Sequence, residues 1–369
     1  MWNAKLKNIH ENKRSRQSIY KNPSIATTTT LLSMWNAKLK NIHENKRSRQ
    51  SIYKNPSIAT TTTTKTTPTA PIVSTRDHFS LLTGKLNPLH DIIDYDCYHV
   101  PKFNRDSYLY DDLVIYIHGV WTKQASANEQ IDRTKLSLNV NKYYNPIIGF
   151  SWDSNTAINP SGWNIAKFIA YQNGPKLAKF ISDFKTNCPN VNIRIIAHSL
   201  GAKVVESALI ALANDTNQIW MKDTVHNIAS VHLIGAAIND ESTSKNTPFG
   251  NAIENTVNTF YNLYNSEDTA LKGTYVNTEN QNPLGLYGLK KGEPFPANYT
   301  ERDVKFEIPP LKMANGIYQS FWDKEVSGWG DNHSGYIGFR EHYPFSRLLK
   351  DDGAINVIVE DWRNDNNRN

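Results

Sequence analysis

Apolar positions along this chain fall into short β-rich runs separated by longer stretches with helical spacing. The run Asp111-Asp112-Leu113-Val114-Ile115-Tyr116-Ile117-His118-Gly119 predicts a strand that ends in His-Gly. Further strands are expected at residues 145–152, 191–196, 228–235 and 256–264. Between them, Ile165, Phe168, Ile169, Leu177, Phe180, Ile181 and Phe184 recur at helical intervals, with an interruption expected at Gly174-Pro175. A second helical set is Leu200, Val204, Val205, Ala208, Leu209 and Leu212. Strands alternating with helices predict an α/β fold with a mostly parallel, doubly wound sheet. Right-handed crossovers then gather the C-terminal ends of the strands on one edge, where sites form. Residues 304–308 are expected to be the last strand. The Asn-, Gly- and Pro-rich segment 272–301 before them reads either as a lid or as surface loop.

Chemistry concentrates at Ala197-His198-Ser199-Leu200-Gly201, where the third strand runs into a helix. A serine at such a corner sits on a tight turn with its hydroxyl exposed above the sheet, and close packing requires very small residues two positions to either side. Ala197 and Gly201 meet that requirement. The amide of Leu200, at the helix N-terminus, then points to where a negative oxygen would develop. A second oxyanion donor is expected from the loop after His118-Gly119, at Val120 or Trp121. His118 precedes the nucleophile and reads as a structural residue of that loop.

An orienting carboxylate belongs after the strand ending at Tyr264, in Asn265-Ser266-Glu267-Asp268. Asp268 is the preferred candidate, with Glu267 and Asp240 open. The base lies further on, and His333 and His342 are the two histidines that follow. His333 stands in a polar, Gly-flanked loop suited to presenting a side chain into a cleft. His342 is expected at the edge of the closing helix, His198 to point the other way on its strand end and be packed, and His232 to be a hydrogen-bonded core residue.

Together these pieces resemble the α/β-hydrolase superfamily, whose chain order of nucleophile, acid and histidine matches Ser199, Asp268 and His333. The stretches AHSLGAKVVESAL, VHLIGAAI and YNSEDTAL are similar to a prokaryotic and archaeal branch of lipase-like serine hydrolases. Ala197 stands where the family pattern has Gly, a departure that some lipases share. The resemblance implies hydrolysis of a carboxylic ester, small-molecule or lipid, through an acyl-enzyme. Two other readings stay open: a catalytically silent binding protein of the same fold, and an acyltransferase or amidase using the same triad. No cofactor or metal is implied, since the histidines lack HExxH spacing and Cys97 and Cys188 are far apart in the chain.

The first part of the chain differs from the rest. Residues 1–30 recur residue for residue at 34–63, and each copy carries six basic residues and one acid. The two copies exceed the chain's formal charge of +6, so the remainder is net negative. Thr-rich sequence follows. Residues 1–74 are expected to be disordered, with 75–369 forming one catalytic domain. The basic tail suits weak contact with anionic membrane or nucleic acid, and no specific protein partner is implied. Without an apolar run of membrane-spanning length or a signal-peptide core, a cytoplasmic placement is expected, with the cell surface still open.

Overall fold

The computed structural model describes residues 71–100, 109–214, 228–308, 331–338 and 353–366. The strands are β1 (Ile72–Ser74), β2 (Asp96–Tyr98), β3 (Asp112–Ile117), β4 (Ile147–Ser151), β5 (Asn192–His198), β6 (Ile228–Ile234), β7 (Val257–Tyr264) and β8 (Tyr299–Asp303). They form one sheet in the order β2-β1-β4-β3-β5-β6-β7-β8. Only β1–β2 is antiparallel; every other pair is parallel. The longer helices are α1 (Gln124–Val140), α2 (Pro160–Asn187), α3 (Gly201–Ala213) and α4 (Pro248–Thr256). A π-helical turn (Leu271–Tyr275) leads into the short α5 (Val276–Glu279) and α6 (Leu284–Tyr287). Near the end of the chain come α7 (Asp331–Ser334) and α8 (Ile355–Asn366).

The central strands are apolar on both faces because helices cover both. Leu113, Ile115 and Ile117 of β3 join one core with residues of α2, α3 and α4, including Phe180, Val205 and Ile253. Val114 and Tyr116 point to the other face, against Ile131 and Leu138 of α1 and Ile358 and Trp362 of α8. Val204, Val205 and Leu209 of α3 are fully buried, each worth about 1.5–3 kcal/mol relative to exposure. The chain passes from β3 to β4 on one side and returns to β5 on the other. This reversal opens a crevice at the carboxyl ends of β3 and β5.

Three expectations fail locally. First, α2 runs unbroken through Pro175. Proline cannot bond the carbonyl four residues back, that of Tyr171, but the Ser207 hydroxyl of α3 donates to this oxygen at 2.7 Å. Gly174 lets α3 come that close: a Cβ there would lie 2.2 Å from Ser207 Oγ. Second, the last strand among the described residues is Tyr299–Asp303, and 304–308 does not form one. Its polar Thr-Glu-Arg sequence suits a sheet edge, while Val304 and Ile308 are buried just beyond it. Third, the expected disordered tail is too long, because Ile72–Ser74 is a buried strand between β2 and β4. The duplicated segments lie outside the described residues.

Candidate active site

Ser199 directly follows β5, with φ at +55°. Non-glycine residues enter this left-handed region at a cost of order 1–3 kcal/mol, and surrounding contacts must hold them there. The Ser199 amide donates to the Ile234 carbonyl of β6 at 3.0 Å, and its carbonyl accepts from Ala202 and Ala237 at 3.1 and 3.0 Å. Two glycines make room for the turn. A Cβ on Gly119 would lie 2.8 Å from Ser199 Cβ, and one on Gly201 would meet the carbonyls of Ile117 and His118 at 2.9 Å. The corner read from the sequence is therefore a strained turn with a small residue on either side.

The structure brings together the preferred trio. His333 Nε2 lies 3.0 Å from Ser199 Oγ, and His333 Nδ1 lies 2.7 Å from Asp268 Oδ2. Asp268 is fully buried after β7, and its other carboxylate oxygen accepts from the Leu271 amide at 2.8 Å. With Nδ1–H donating to the carboxylate, Nε2 is left as acceptor toward the serine. Neither alternative acid meets the imidazole: Glu267 is exposed, and the Asp240 carboxyl, raised chiefly by burial, is hydrogen-bonded to Asn282. His342 lies outside the described residues.

Of the expected oxyanion donors, Leu200 and Val120 donate their amides to no described residue. Trp121 does not fit that role, because its amide donates to the Ser154 carbonyl at 2.8 Å. Its φ of +54° turns the chain sharply right after Val120. His118 fixes this loop as expected. Its Nδ1–H donates to the Gly119 carbonyl at 2.9 Å, while Nε2 accepts from the Trp152 amide at 3.1 Å and from Arg76 at 3.0 Å. Burial, then the nearby Arg76 guanidinium, pushes the His118 pKa well below the ordinary value and keeps the ring neutral. Sequence reasoning missed Arg76, which also reaches Ser151 Oγ and the Thr122 carbonyl. No local pattern marks it, since its partners come from two distant segments, the loop after β3 and the end of β4.

Above Ser199 lies a cleft of about 490 Å³ whose wall includes Val120, Trp121, Trp163, Leu271 and Tyr275. Part of the segment expected as lid or loop thus lines the cleft, and Trp163 is tied to it by a hydrogen bond to Glu279. A second cavity of similar size lies at the opposite sheet edge, by Asp112, Asn192 and Trp362. His232 is a buried core residue, as expected, stacked on Tyr261 with Nε2 3.4 Å from Asp361.

Among the described residues, His78, His90 and Asp94 place ligand atoms close enough to share a cation. The Lys176 ammonium already sits there. It bonds the Asp94 carboxylate and lies 3.2 Å from His78 Nδ1. A divalent ion about 4 Å from that buried charge would be repelled by roughly 8 kcal/mol at an effective dielectric of 20. The cluster is built around the lysine.

Residues 104–291, just over half the chain, match the family model described as "alpha/beta hydrolase of unknown function (DUF900)". The uncharacterized protein alr1448 of Nostoc sp. is 33% identical over 94 residues, covering 26% of this chain and 23% of the relative. The chain thus spans under a quarter of that relative's length. Solved structures with partial similarity include the catalytic core domain of acetyl xylan esterase from Trichoderma reesei, with 14% identity, 35% and 65% of the two chains covered, and a TM-score of 0.26. A Trichoderma reesei cutinase in complex with a phosphonate inhibitor has 17% identity, 37% and 56% coverage, and a TM-score of 0.22. A Listeria innocua protein, the lin2722 product, has 16% identity, 53% and 84% coverage, and a TM-score of 0.30. Overlaps at such TM-scores do not bear on activity. The doubly wound sheet, the serine corner in its crevice and the family match lead to one assignment: this chain belongs to the alpha/beta-hydrolase family of unknown function.

Proposed function

We propose that this protein is a serine hydrolase that cleaves carboxylic esters through Ser199, His333 and Asp268. One observation carries the reading: a serine, an imidazole and a buried carboxylate lie in one hydrogen-bonded line at the mouth of an open cleft. His333 Nε2 takes the Ser199 proton as Oγ attacks the ester carbonyl carbon. The carbonyl oxygen becomes an oxyanion held by the Leu200 and Val120 amides, each donor worth about 3 kcal/mol of barrier. His333 returns the proton to the leaving alkoxide, which departs as the alcohol and leaves Ser199 acylated. Water then attacks the acyl-enzyme, with His333 again as base, and releases the carboxylic acid. Asp268 keeps Nδ1 protonated throughout and stabilises the imidazolium.

The test is turnover of p-nitrophenyl acetate and butyrate by the wild type and by Ser199→Ala. The wild type should hydrolyse at least one ester, and the variant should lose about 10⁴-fold or more in kcat while keeping its melting temperature. Equal rates in the two proteins would remove Ser199 from the reaction.

A further inference from the structure

We infer that His198 is a positioning residue whose imidazole hydrogen-bonds the main chain of His333 and so holds the base in line with Ser199. The inference rests on the triad reading above and adds to it a residue that does not itself touch the reacting atoms.

His198 ends β5, one position before the nucleophile, so its ring is placed by the sheet, and against the expectation that it points away it lies at the cleft beside Ser199 and His333. Its Nε2 lies 2.7 Å from the carbonyl oxygen of His333. A carbonyl only accepts, so Nε2 carries the hydrogen and donates it. The two rings lie 4.9 Å apart and tilted by 44°, close enough for the His198 ring to brace the His333 ring as well as bond its backbone. Burial, then the neighbouring His333, pushes the His198 pKa down to about 3, which keeps the ring neutral at working pH.

This bond matters because of where His333 comes from. Ser199 is fixed by β5 and β6, and Asp268 by the turn after β7, both integral to the sheet. His333 arrives instead on the four-residue α7. Beyond α7, Tyr336 fills the space opened by Gly235: a Cβ on that glycine would lie 2.8 Å from the ring. The Tyr336 carbonyl also accepts from the Ala354 amide at 2.7 Å. These anchors lie three residues past the base, whereas the His198 bond fixes the backbone of the base itself. One side chain at the strand end thereby ties the nucleophile's strand directly to the segment that carries the base. A misplacement of about 1 Å in such a constellation can cost roughly 100-fold in rate.

Two substitutions separate the bond from the packing. His198→Phe keeps a ring of similar size and removes the donor. His198→Gln keeps an N–H donor at a similar reach on a smaller side chain. The first readout needs no turnover: the low-field proton resonance of His333 Nδ1–H bonded to Asp268, assigned by its loss in Asp268→Ala. It should persist in the wild type and in His198→Gln and be lost or move upfield in His198→Phe, with all melting temperatures similar. The second readout is p-nitrophenyl ester turnover, in which His198→Phe should lose roughly 100-fold in kcat with little change in KM. His198→Gln should stay within a few-fold of the wild type. An unchanged resonance in His198→Phe, or equal losses in both variants, would overturn the positioning role. Absence of turnover in the wild type would instead count against the ester-hydrolase reading, while the resonance would still decide the role of His198.

Discussion

Lowering the pH from 7.5 to 5.0 should destabilise the fold through histidines that it holds neutral. His118 is pushed well below its ordinary value of 6.5, chiefly by burial and then by Arg76, and His198 falls to about 3. In the unfolded chain both titrate near 6.5. Between the folded and unfolded values the unfolded chain binds more protons, so stability rises with pH across that window and is lost as pH falls. Protonation of the unfolded His198 imidazole over this range is worth about 2 kcal/mol, and His118 adds to it in the same direction. That is a large share of a typical 5–15 kcal/mol. His232 acts in the same direction, opposed by Asp361 and Asp365. Asp153 and Asp240, whose folded values are raised chiefly by burial, act in the opposite direction at lower pH. The decisive measurement is therefore a difference. Urea unfolding at pH 7.5, 6.0 and 5.0 should give a stability slope in His198→Gln that is shallower than the wild type's, by nearly one proton or about 1.4 kcal/mol per pH unit, below pH 6. Parallel slopes would mean that His198 protonates as readily in the folded protein as in the unfolded chain, and the burial argument would fail.

Three further outcomes are expected. Asp268→Asn should lower kcat by about 10⁴-fold with the fold intact, as an imidazole in the wrong tautomer would, while Asp240→Asn should change it little; pH-stat ester assays on both variants check this. Ser207→Ala should lower stability by about 1–3 kcal/mol in urea melts, because it leaves the Tyr171 carbonyl opposite Pro175 without its hydroxyl partner. Truncation to residue 76 should lower the melting temperature markedly relative to truncation to residue 70, since it removes β1, with Val73 fully buried, and the Arg76 contacts to His118; calorimetry of the two truncations compares them.

How legible the site was depends on where each residue sits. Ser199 announced itself because a strained strand-to-helix turn demands small residues at fixed offsets, and Ala197 and Gly201 are local to it. Asp268 and His333 could be placed only by order along the chain, yet the structure sets them at 2.7 Å. Contacts between distant segments were not legible. Arg76 against His118 and His198 against the His333 carbonyl depend on three-dimensional packing that no periodicity encodes. Pro175 misled because its helix-breaking tendency is local, whereas its remedy, Ser207, lies on another helix. The edge strand β8 was missed because strands there carry charge on purpose, so Tyr-Thr-Glu-Arg-Asp lacks the apolar alternation that marks an interior strand. Trp121 was a candidate donor by proximity alone, and only the fold shows its amide bonded to Ser154.

Whether Ser199 is a nucleophile activated by its neighbours can be read from the stoichiometry of covalent labelling. The purified 369-residue chain is incubated with a fluorophosphonate and its intact mass recorded, followed by peptide mapping. One phosphonyl adduct per chain is expected, mapped to Ser199, absent in Ser199→Ala and formed far more slowly in Asp268→Asn. Folded wild type that takes up no label, or an adduct that persists on another residue in Ser199→Ala, would contradict the assignment of Ser199 as nucleophile.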